Sequence, residues 1–309
     1  MKQPGVITRD PGDFLAAARA CKRDFGPATA RAAFLVSPEG FSRAAQSAAD
    51  NRYMAGDAAM FDAARAEAEH RGLHQALSTV LPTVCFPGLP GAPDGVFPNN
   101  VYATAAGRLL VGRMRHPVRR GEAARGDIRG FFQDVLGYAL YDLSRQAHPC
   151  ELTGALVIDR ARGLGFCGLS ERCDATGAER MHEAFGLRAT LLFELAPGEY
   201  HTNVVLAVLA GRAALLCARG FAEPEVAGAI ESLYAPNALR LSAQEQAAFV
   251  GNGIALTDTV VWMSSTAERA LEVRTRRGLE VAGFQVRSVP LAAIEAAGGS
   301  LRCCVAEIY

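Results

Sequence analysis

The sequence lacks an excess of charge of either sign, because 32 lysines and arginines are balanced by 32 aspartates and glutamates. That balance gives no electrostatic basis for binding nucleic acid or an anionic membrane surface. Long apolar runs are also missing, since the longest, residues 204–216, is interrupted by Gly211 and Arg212 and is too short to cross a bilayer. Residues 1–10 have neither the apolar segment nor the cleavage site of a secretory signal, so we expect a cytoplasmic protein.

Motifs for binding a structural metal or a nucleotide are absent as well. None of the eight cysteines belongs to a CxxC pair, and the adjacent residues Cys303 and Cys304 have the wrong spacing for a structural zinc site. The sequence contains no GxxxxGK motif followed by serine or threonine, and no GxGxxG motif after a strand, so nucleotide binding has no support. We therefore predict no metal site and expect most cysteines to be reduced and buried.

The chain has enough apolar residues for a substantial core, because half of its residues are hydrophobic. Short apolar runs alternate with amphipathic helical patterns and with loops rich in glycine and proline, in the repeated order strand-strand-helix-strand. With no long linker between them, these elements predict a single α/β domain over residues 1–309. Residues 1–30 are expected to form a partly helical or loose leader.

Local signals predict several element boundaries. Residues 57–71 have an amphipathic helical pattern, and Gly72 is expected to end that helix. Residues 128–140 also have a helical pattern, and the segment SAQE at 242–245 has the spacing of an N-terminal capping box. The apolar run 301–308 predicts a final strand, in which the side chains of neighbouring residues face opposite sides.

Three residues have the chemistry and the position that catalysis needs. Cys303 follows two glycines, which let the backbone approach a ligand, and Arg302, whose charge can lower the pKa of a thiol. His201 lies between a Pro-Gly turn and an apolar strand, where an imidazole can face a pocket and transfer protons near neutral pH. Glu151 precedes another apolar strand, where a carboxylate can bind a cation or orient an imidazole. Taken one at a time, each of these residues is more often structural than catalytic.

Seven short motifs, in their order along the chain, resemble those of the guanidino-group modifying enzymes. That superfamily contains arginine deiminases, dimethylarginine dimethylaminohydrolases, amidinotransferases and citrulline hydrolases. The motifs are AFLVSP (33–38), AADN (48–51), FPNN (97–100), ELTG (151–154), GLSER (168–172), EYHTNV (199–204) and GGSLRC (298–303). The FPNN motif and the ending RCCVAEIY are most similar to the arginine-deiminase-related, citrulline-hydrolase-like branch, and the resemblance extends from Ala33 to the last residue.

The resemblance implies a five-bladed α/β propeller of ββαβ units around a central pocket. It also implies that Cys303 is the nucleophile, that His201 is its acid and base, and that Glu151 is the carboxylate that holds both the substrate and the histidine. The expected substrate-binding residues are Asn51, Asn100, Arg172 and Asn203, with Arg172 binding the substrate carboxylate. Neither a metal nor an organic cofactor is needed, the expected partner is a small amino-acid substrate, and a homodimer is left open.

Asn100 bears on which substrate is preferred. Unlike an aspartate, an asparagine donates a hydrogen bond as well as accepting one, so it can bind a neutral ureido oxygen. This favours a hydrolase of citrulline-like substrates, or one that carries arginine past citrulline. The chain departs from the family at positions near the pocket, which leaves the identity of the substrate open; these positions are Ser37, Val101, Cys173 and Cys304.

Three other functions are compatible with the sequence. An amidinotransferase would pass the amidino group to an amine instead of water. A non-catalytic relative would bind an amino acid or a partner, and a zinc or redox protein would use the cysteines differently. The joint presence of Glu151, His201 and Cys303 argues against the non-catalytic relative, because loss of any one of them would be its simplest sign.

Overall fold

Sixteen short strands lie in the part of the chain that the structure describes, residues 5–54 and 61–309 of a computed structural model. They are β1 (Val6–Thr8), β2 (Ala32–Val36), β3 (Thr83–Phe86), β4 (Tyr102–Ala105), β5 (Arg108–Val111), β6 (Ala139–Asp142), β7 (Leu156–Asp159), β8 (Leu164–Leu169), β9 (Ala189–Glu194), β10 (Leu206–Leu209), β11 (Ala213–Leu216), β12 (Ala238–Arg240), β13 (Ile254–Ala255), β14 (Val260–Ser264), β15 (Gln285–Val289) and β16 (Ala306–Ile308).

Helices connect many of these strands. In the same described residues they are α1 (Pro11–Ala20), α2 (Ala45–Ala48), α3 (Ala63–Ser78), α4 (Pro117–Arg120), α5 (Gly126–Gly130), α6 (Leu152–Ala155), α7 (Ala175–Phe185), α8 (Pro224–Tyr234), α9 (Ala243–Ala247), α10 (Ser265–Ala270), α11 (Val273–Val281), α12 (Ala292–Glu295) and α13 (Leu301–Cys304). None of them is long and apolar enough to cross a membrane.

The strands of the described residues form five sheets that share one plan. In β4-β5-β6, β7-β8-β9, β10-β11-β12 and β13-β14-β15, the first two strands are antiparallel and the third is parallel to the second. The fifth sheet joins distant segments, because β16 is antiparallel to β2 and β2 is parallel to β3. Each parallel pair needs a crossover connection, and helices provide all five. The chain therefore has the predicted α/β fold, and each sheet contains the expected ββαβ elements.

Helix α3 corrects the prediction that Gly72 ends a helix over residues 57–71. The helix begins at Ala63 and continues through Gly72 to its end at residue 78. Leu73 and Leu77 extend its apolar face beyond the glycine and are fully buried. Burial of a leucine contributes ~1.5–3 kcal/mol, which outweighs the ~1 kcal/mol cost of glycine inside a helix. Residues 57–60 of the predicted span lie outside the described residues.

Two other predicted elements also differ from the structure. Only the first part of residues 128–140 is helical, because α5 passes into a π-helical turn at Phe131–Val135, Gly137 has a φ of +68°, and β6 follows. The segment 301–308 is not one strand, since α13 forms a helical turn and only β16 is extended. The predicted capping box at 242–245 is confirmed, with both of its reciprocal hydrogen bonds present.

The N-terminal segment packs against the sheets. Strand β1 pairs in parallel with β9 and adds a fourth strand to that sheet. Helix α1 begins after Asp10, whose side chain accepts a hydrogen bond from the Asp13 N–H, and it buries Phe14 completely. The rings of Phe14 and Phe166 meet edge to face with centroids 5.4 Å apart. Of the expected leader, the described residues thus contain one strand and one helix in contact with the core.

Packing between the sheets determines where the loops meet. The first strands of neighbouring sheets lie against one another, with β4 in contact with β16, and β10 in contact with both β7 and β13. Strands such as β11 (AALL) are buried along their whole length, as is usual for strands covered on both faces. This arrangement brings together the turns that precede the first strand of each sheet.

Candidate active site

Five short helical turns, one before the first strand of each sheet, contact one another in a ring. They are the 3-10 turns Pro98–Asn100, Thr202–Val204 and Val250–Asn252 together with α6 and α13, and α13 contacts the turn at Pro98–Asn100. Each turn contains, or directly follows, one residue with a side chain suited to the site: Asn100, Glu151, His201, Asn252 and Cys303. These residues are spaced 51, 50, 51 and 51 positions apart. The fold therefore gathers polar and thiol groups from five distant segments.

A narrow cavity lies at this ring. Its walls include most of the residues expected at the site, together with two charged residues that were not expected: Asn51, Asn100, Arg172, His201, Cys303, Asp94 and Arg119. Glu151 is fully buried and is not part of the wall. Asn203 does not line the cavity either, because its Nδ2 donates to the Thr153 carbonyl oxygen at 3.1 Å. A larger cavity near Phe25 and Tyr309 contains none of these residues.

Glu151 orients His201 from behind the cavity wall. Its Oε2 accepts hydrogen bonds from His201 Nε2 at 2.9 Å, Arg172 Nη1 at 3.3 Å and Asn100 Nδ2 at 3.4 Å, and its Oε1 accepts from the Arg115 backbone N–H at 3.0 Å. Burial opposes ionisation of Glu151, but Arg172 and His201 hold its pKa well below its usual range. Burial lowers the pKa of His201 despite Glu151, so the ring is neutral at pH 7. The ionised carboxylate can stabilise an imidazolium that forms during a reaction.

Cys303 lies in the α13 turn with its thiol against the side-chain amide of Asn252. Its Sγ lies 3.4 Å from Nδ2 and 3.6 Å from Oδ1, and the same Oδ1 accepts from the Arg302 backbone N–H at 3.1 Å. Burial raises the pKa of the Cys303 thiol and outweighs the opposing effects of Asn252 and Arg302. The expectation that Arg302 lowers this pKa overall is therefore wrong. Its guanidinium instead pairs with Glu307 at 3.0 Å.

Two residues of the cavity wall, Asn100 and Asp94, carry side-chain hydrogen-bond acceptors. Since a carboxylate can only accept, the Asn100 amide turns its N–H group toward Glu151, and Oδ1 is buried without a partner in the described residues. Asp94 lines the cavity, accepts a hydrogen bond from Ser47 Oγ, and lies 3.9 Å from Arg119. Such acceptors suit a planar group that carries only N–H donors.

Arg172 is already bound by a carboxylate of the protein. Its Nε and Nη2 donate to the two oxygens of Asp50 at 2.8 and 2.6 Å, and Nη2 also donates to the Ser47 carbonyl oxygen at 3.2 Å. His116 Nε2 lies 3.2 Å from both Asp50 oxygens. A substrate carboxylate would therefore have to compete with Asp50 for the guanidinium.

Asn51 stabilises the glycine turn that leads to Cys303. Its Nδ2 donates to the Gly298 carbonyl oxygen at 3.1 Å, and the Tyr200 hydroxyl donates to the same oxygen at 2.7 Å. Gly298 has a φ of +81°, and a Cβ at this position would lie 2.4 Å from Asn51 Nδ2. Only glycine tolerates both conditions without strain.

Comparison with known proteins identifies the family. The family model described as "N,N dimethylarginine dimethylhydrolase, eukaryotic" matches residues 37–309. The chain belongs to this family. No curated protein matches the sequence.

Several solved structures share the fold of this protein. The N-terminal domain of ArgZ, an arginine dihydrolase of cyanobacteria, superposes with a TM-score of 0.79 at 20% identity, covering 90% of this chain and 97% of that domain. AgrE superposes with a TM-score of 0.77 at 22% identity, covering 90% of this chain and 39% of AgrE. A dimethylarginine dimethylaminohydrolase superposes with a TM-score of 0.69 at 20% identity, covering 90% and 100%. At such identities, the likeness establishes a shared fold.

Family membership confirms two predictions from the sequence. The motif order correctly predicted a guanidino-group modifying enzyme, and the protein is a hydrolase of C–N bonds in guanidino groups. The departures from the family pattern at Ser37, Val101, Cys173 and Cys304 fall outside the cavity wall. The described residues contain no group of three or more side chains that could hold a metal ion.

Sequence reasoning missed four residues of this family member's site: Asp50, Asp94, Arg119 and Asn252. Asp94 lies in a Pro-Asp-Gly sequence that is typical of a turn, and Asp50 lies within the AADN motif, in which the resemblance implies a role only for Asn51. A usable signal existed for Asn252, because it follows His201 by 51 residues and precedes Cys303 by 51. Once the sheets are known, the even spacing of the site residues that precede the first strand of each sheet identifies Asn252 as one of them.

Gly154 leaves space for the imidazole, which leads to a testable prediction. A Cβ at this position would lie 2.7 to 2.9 Å from three atoms of the His201 ring. Gly154→Ala should displace the ring from Glu151 and lower kcat by ~10²-fold, the lower range for loss of acid-base catalysis. The added methyl group should also lower the free energy of unfolding by ~1–3 kcal/mol, which leaves the protein folded. The matched control is Gly228→Ala in α8, where a Cβ meets nothing within 4 Å, and activity should be unchanged. Equal kcat values for the two variants would contradict this role.

Proposed function

We propose that the protein is a cysteine-dependent hydrolase that cleaves a C–N bond of an arginine-like guanidinium through a covalent thiouronium intermediate. The supporting observation is that Cys303 and His201 line one cavity, with Glu151 bound to the far side of the imidazole. A guanidinium carbon is a weak electrophile because its charge is delocalised. A thiolate is the most nucleophilic side chain that a protein can offer it.

The proposed reaction begins with transfer of the Cys303 proton to His201, whose Nδ1 is available because Nε2 is bound to Glu151. The thiolate attacks the guanidino carbon, and a C–S bond forms. As the C–N bond breaks, the imidazolium gives its proton to the departing amine or ammonia. His201 then takes a proton from water, and the water oxygen attacks the thiouronium carbon. The C–S bond breaks as the second water proton passes to the released ammonia or amine, which leaves a neutral ureido product. The released thiolate recovers the proton from His201, so one water is consumed in each cycle.

The orientation of Asn100 supports a guanidino substrate and revises the preference for citrulline that its amide suggested. Its Oδ1 is the buried atom without a partner, and Asp94 provides a second acceptor in the wall. A guanidinium presents only N–H donors, which these acceptors can bind. A ureido oxygen would face acceptors, and leaving buried polar groups unpaired costs ~1–3 kcal/mol.

The fold that we propose behind this site is a five-bladed propeller forming one catalytic domain over residues 1–309. Support comes from the five sheets of one plan, the ring of five turns, and the spacing of 50 or 51 residues between their functional side chains. Each sheet would then be one blade, with its first strand next to the central pocket.

A substrate panel with intermediate trapping tests the proposed function. The protein is incubated with L-arginine, Nω,Nω-dimethylarginine, agmatine and citrulline, and the released ammonia, amines and ureido products are measured. An acid-quenched reaction should show, on the peptide that contains Cys303, an added mass equal to that of the substrate less the departing ammonia or amine. Addition of glycine as an acceptor should give no new guanidine, because water accepts the group. Absence of turnover and of adduct with every guanidine would overturn the proposal.

The raised pKa of Cys303 predicts slow alkylation in the free enzyme. Inactivation by iodoacetamide follows the thiolate fraction, so its midpoint should lie above the ordinary thiol pKa of 9.0. A cationic guanidine near Sγ favours the charged thiolate, and a slowly hydrolysed analogue should lower the pH at which thiolate absorbance appears. Peptide mass spectrometry assigns the modified residue. A midpoint below about 8 in the free enzyme would contradict the dominance of burial.

A further inference from the structure

The Arg172 guanidinium has almost no hydrogen-bonding capacity left for a substrate. Of its five N–H groups, Nε and one on Nη2 donate to the Asp50 oxygens, and the second on Nη2 donates to the Ser47 carbonyl. One Nη1 group donates to Glu151 at 3.3 Å. The single remaining N–H cannot form the two parallel hydrogen bonds by which an arginine binds a carboxylate firmly.

Arg119, the second guanidinium in the cavity wall, is also held by a carboxylate of the protein. Its Nε and Nη2 donate to the two oxygens of Glu122 at 2.9 and 2.6 Å. Its Nη2 also donates to the carbonyl oxygens of Asp94 and Phe97 at 3.2 and 3.1 Å. With Nε and Nη2 engaged, Arg119 offers no edge of two free nitrogens to a carboxylate.

The charges around the cavity favour a substrate with more than one positive charge. In the described part of the chain, Arg119 and Arg172 contact four carboxylates, and these six groups together carry a formal charge of −2; the carboxylates belong to Asp50, Asp94, Glu122 and Glu151. Two nearby pairs, Arg52–Glu199 and Arg115–Glu171, cancel. His116, which contacts Asp50, adds a charge only when protonated. A free amino acid with a guanidinium carries a net charge of about +1 at neutral pH, and its decarboxylated counterpart carries about +2.

We propose that the preferred substrate is a guanidinoalkylamine, a guanidine whose chain ends in a protonated amine and has no carboxylate. Asp50 then occupies the guanidinium edge of Arg172 that an amino-acid carboxylate would need, and it excludes that carboxylate by like-charge repulsion. Asp50 is thus a specificity-determining residue. This inference rests on the proposed guanidino hydrolysis and specifies its substrate class.

The test compares substrates that differ only at the carboxylate position. Agmatine lacks the group, L-argininamide replaces it with a neutral amide, and L-arginine retains it. For the unmodified protein, kcat/KM for agmatine and for L-argininamide should exceed that for L-arginine about tenfold or more, because like charges in a buried site repel strongly. A higher kcat/KM for L-arginine than for both analogues would overturn the inference while leaving guanidino hydrolysis intact.

Asp50→Asn should reverse this preference. The asparagine keeps one acceptor oxygen but has no charge, so the variant releases one of the two Arg172 nitrogens that Asp50 holds and removes the repulsion. The value of kcat/KM should therefore rise about tenfold for L-arginine and fall for agmatine. The matched control is Asp142→Asn: Asp142 pairs with Arg129 at 2.9 Å, and its side chain is 19% exposed, compared with 18% for Asp50. Neither aspartate lines the cavity, but Asp50 binds Arg172 of the cavity wall, whereas the partners of Asp142, Arg129 and Ser144, lie outside the wall. The control should keep the preference of the unmodified protein. A preference unchanged by Asp50→Asn, in a variant with a normal thermal melt, would overturn the inference.

Binding provides a second measurement that does not depend on the folding of Asp50→Asn. Calorimetry with the Cys303→Ser protein should show tighter binding of agmatine than of L-arginine, and the reverse order would overturn the inference. If the unmodified protein hydrolyses no guanidine at all, the proposed function fails and this inference fails with it. Hydrolysis of L-arginine or dimethylarginine without agmatine would reject the substrate class alone.

Discussion

Replacement of Cys303 by serine is expected to reduce turnover by ~10⁴-fold or more, the scale seen when a catalytic nucleophile is removed. The thiol lines the cavity and contacts Asn252, and the neutral imidazole of His201 lines the same cavity and can accept its proton. A serine hydroxyl in this position has a much higher pKa and attacks a delocalised cation far more weakly. Steady-state release of ammonia or amine measures the loss, and intact mass measures the disappearance of the covalent adduct.

Cys304→Ser is the matched control for this prediction. Cys304 is fully buried in the apolar core and does not line the cavity. A buried hydroxyl without a partner should lower the free energy of unfolding by ~1–3 kcal/mol, while kcat of the folded protein stays near that of the unmodified enzyme. If Cys304→Ser abolished turnover and Cys303→Ser did not, the assignment of the nucleophile would be wrong.

We still expect Cys303 to be catalytic and Cys304 to be structural, but not because the two side chains alternate along a strand. A strand over residues 301–308 would place them on opposite faces, but α13 is a helical turn in which neighbours differ by about 100°. The apolar composition of residues 301–308 could not distinguish a strand from a helical turn, because both need apolar side chains when they are buried. The Gly-Gly sequence before Leu301 was the better signal, since it permits the sharp turn that precedes the helix.

The sequence was sufficient to predict those site residues whose side-chain chemistry and place in a motif indicate a catalytic role. Cys303, His201 and Glu151 could be found by motif order, and the structure brings Cys303 and His201 to one cavity with Glu151 behind the histidine. The pKa values of these groups depend on how deeply the fold buries them, which cannot be predicted from a motif. The thiol pKa is raised, not lowered, because the desolvation of a fully enclosed group outweighs the charge of Arg302 at its side.

Partnerships across long distances in the chain could not be predicted. Arg172 matched a motif for a carboxylate-binding residue, but its partner is Asp50, 122 positions earlier in the chain. An arginine motif indicates that a carboxylate will be bound and does not say whether it belongs to the substrate or to the protein. The register that joins these segments is set by the packing of separate sheets, which involves contacts among many apolar residues and no local pattern.

Replacement of His201 by alanine is expected to lower kcat/KM by ~10²–10⁴-fold, or more if the imidazole also activates the thiol. Because burial lowers the pKa of His201, the unmodified enzyme should keep a neutral imidazole down to a pH below the ordinary histidine value of 6.5. The acidic limb of the kcat/KM profile should therefore lie below pH 6.5, and His201→Ala should remove it. Added imidazole should restore part of the rate, because it can occupy the space of the missing ring.

His182→Ala distinguishes this role from a structural one. His182 is also buried, but its Nδ1 pairs with Thr190 Oγ1 at 2.8 Å and it does not line the cavity. Loss of that hydrogen bond and of the packed ring should lower the melting temperature without moving the acidic limb or responding to imidazole. Because both variants remove a buried imidazole, only the pH profile and the rescue separate proton transfer from packing. A near-normal rate for His201→Ala, with His182→Ala inactive but folded, would transfer the acid-base role to His182 and refute the proposed mechanism.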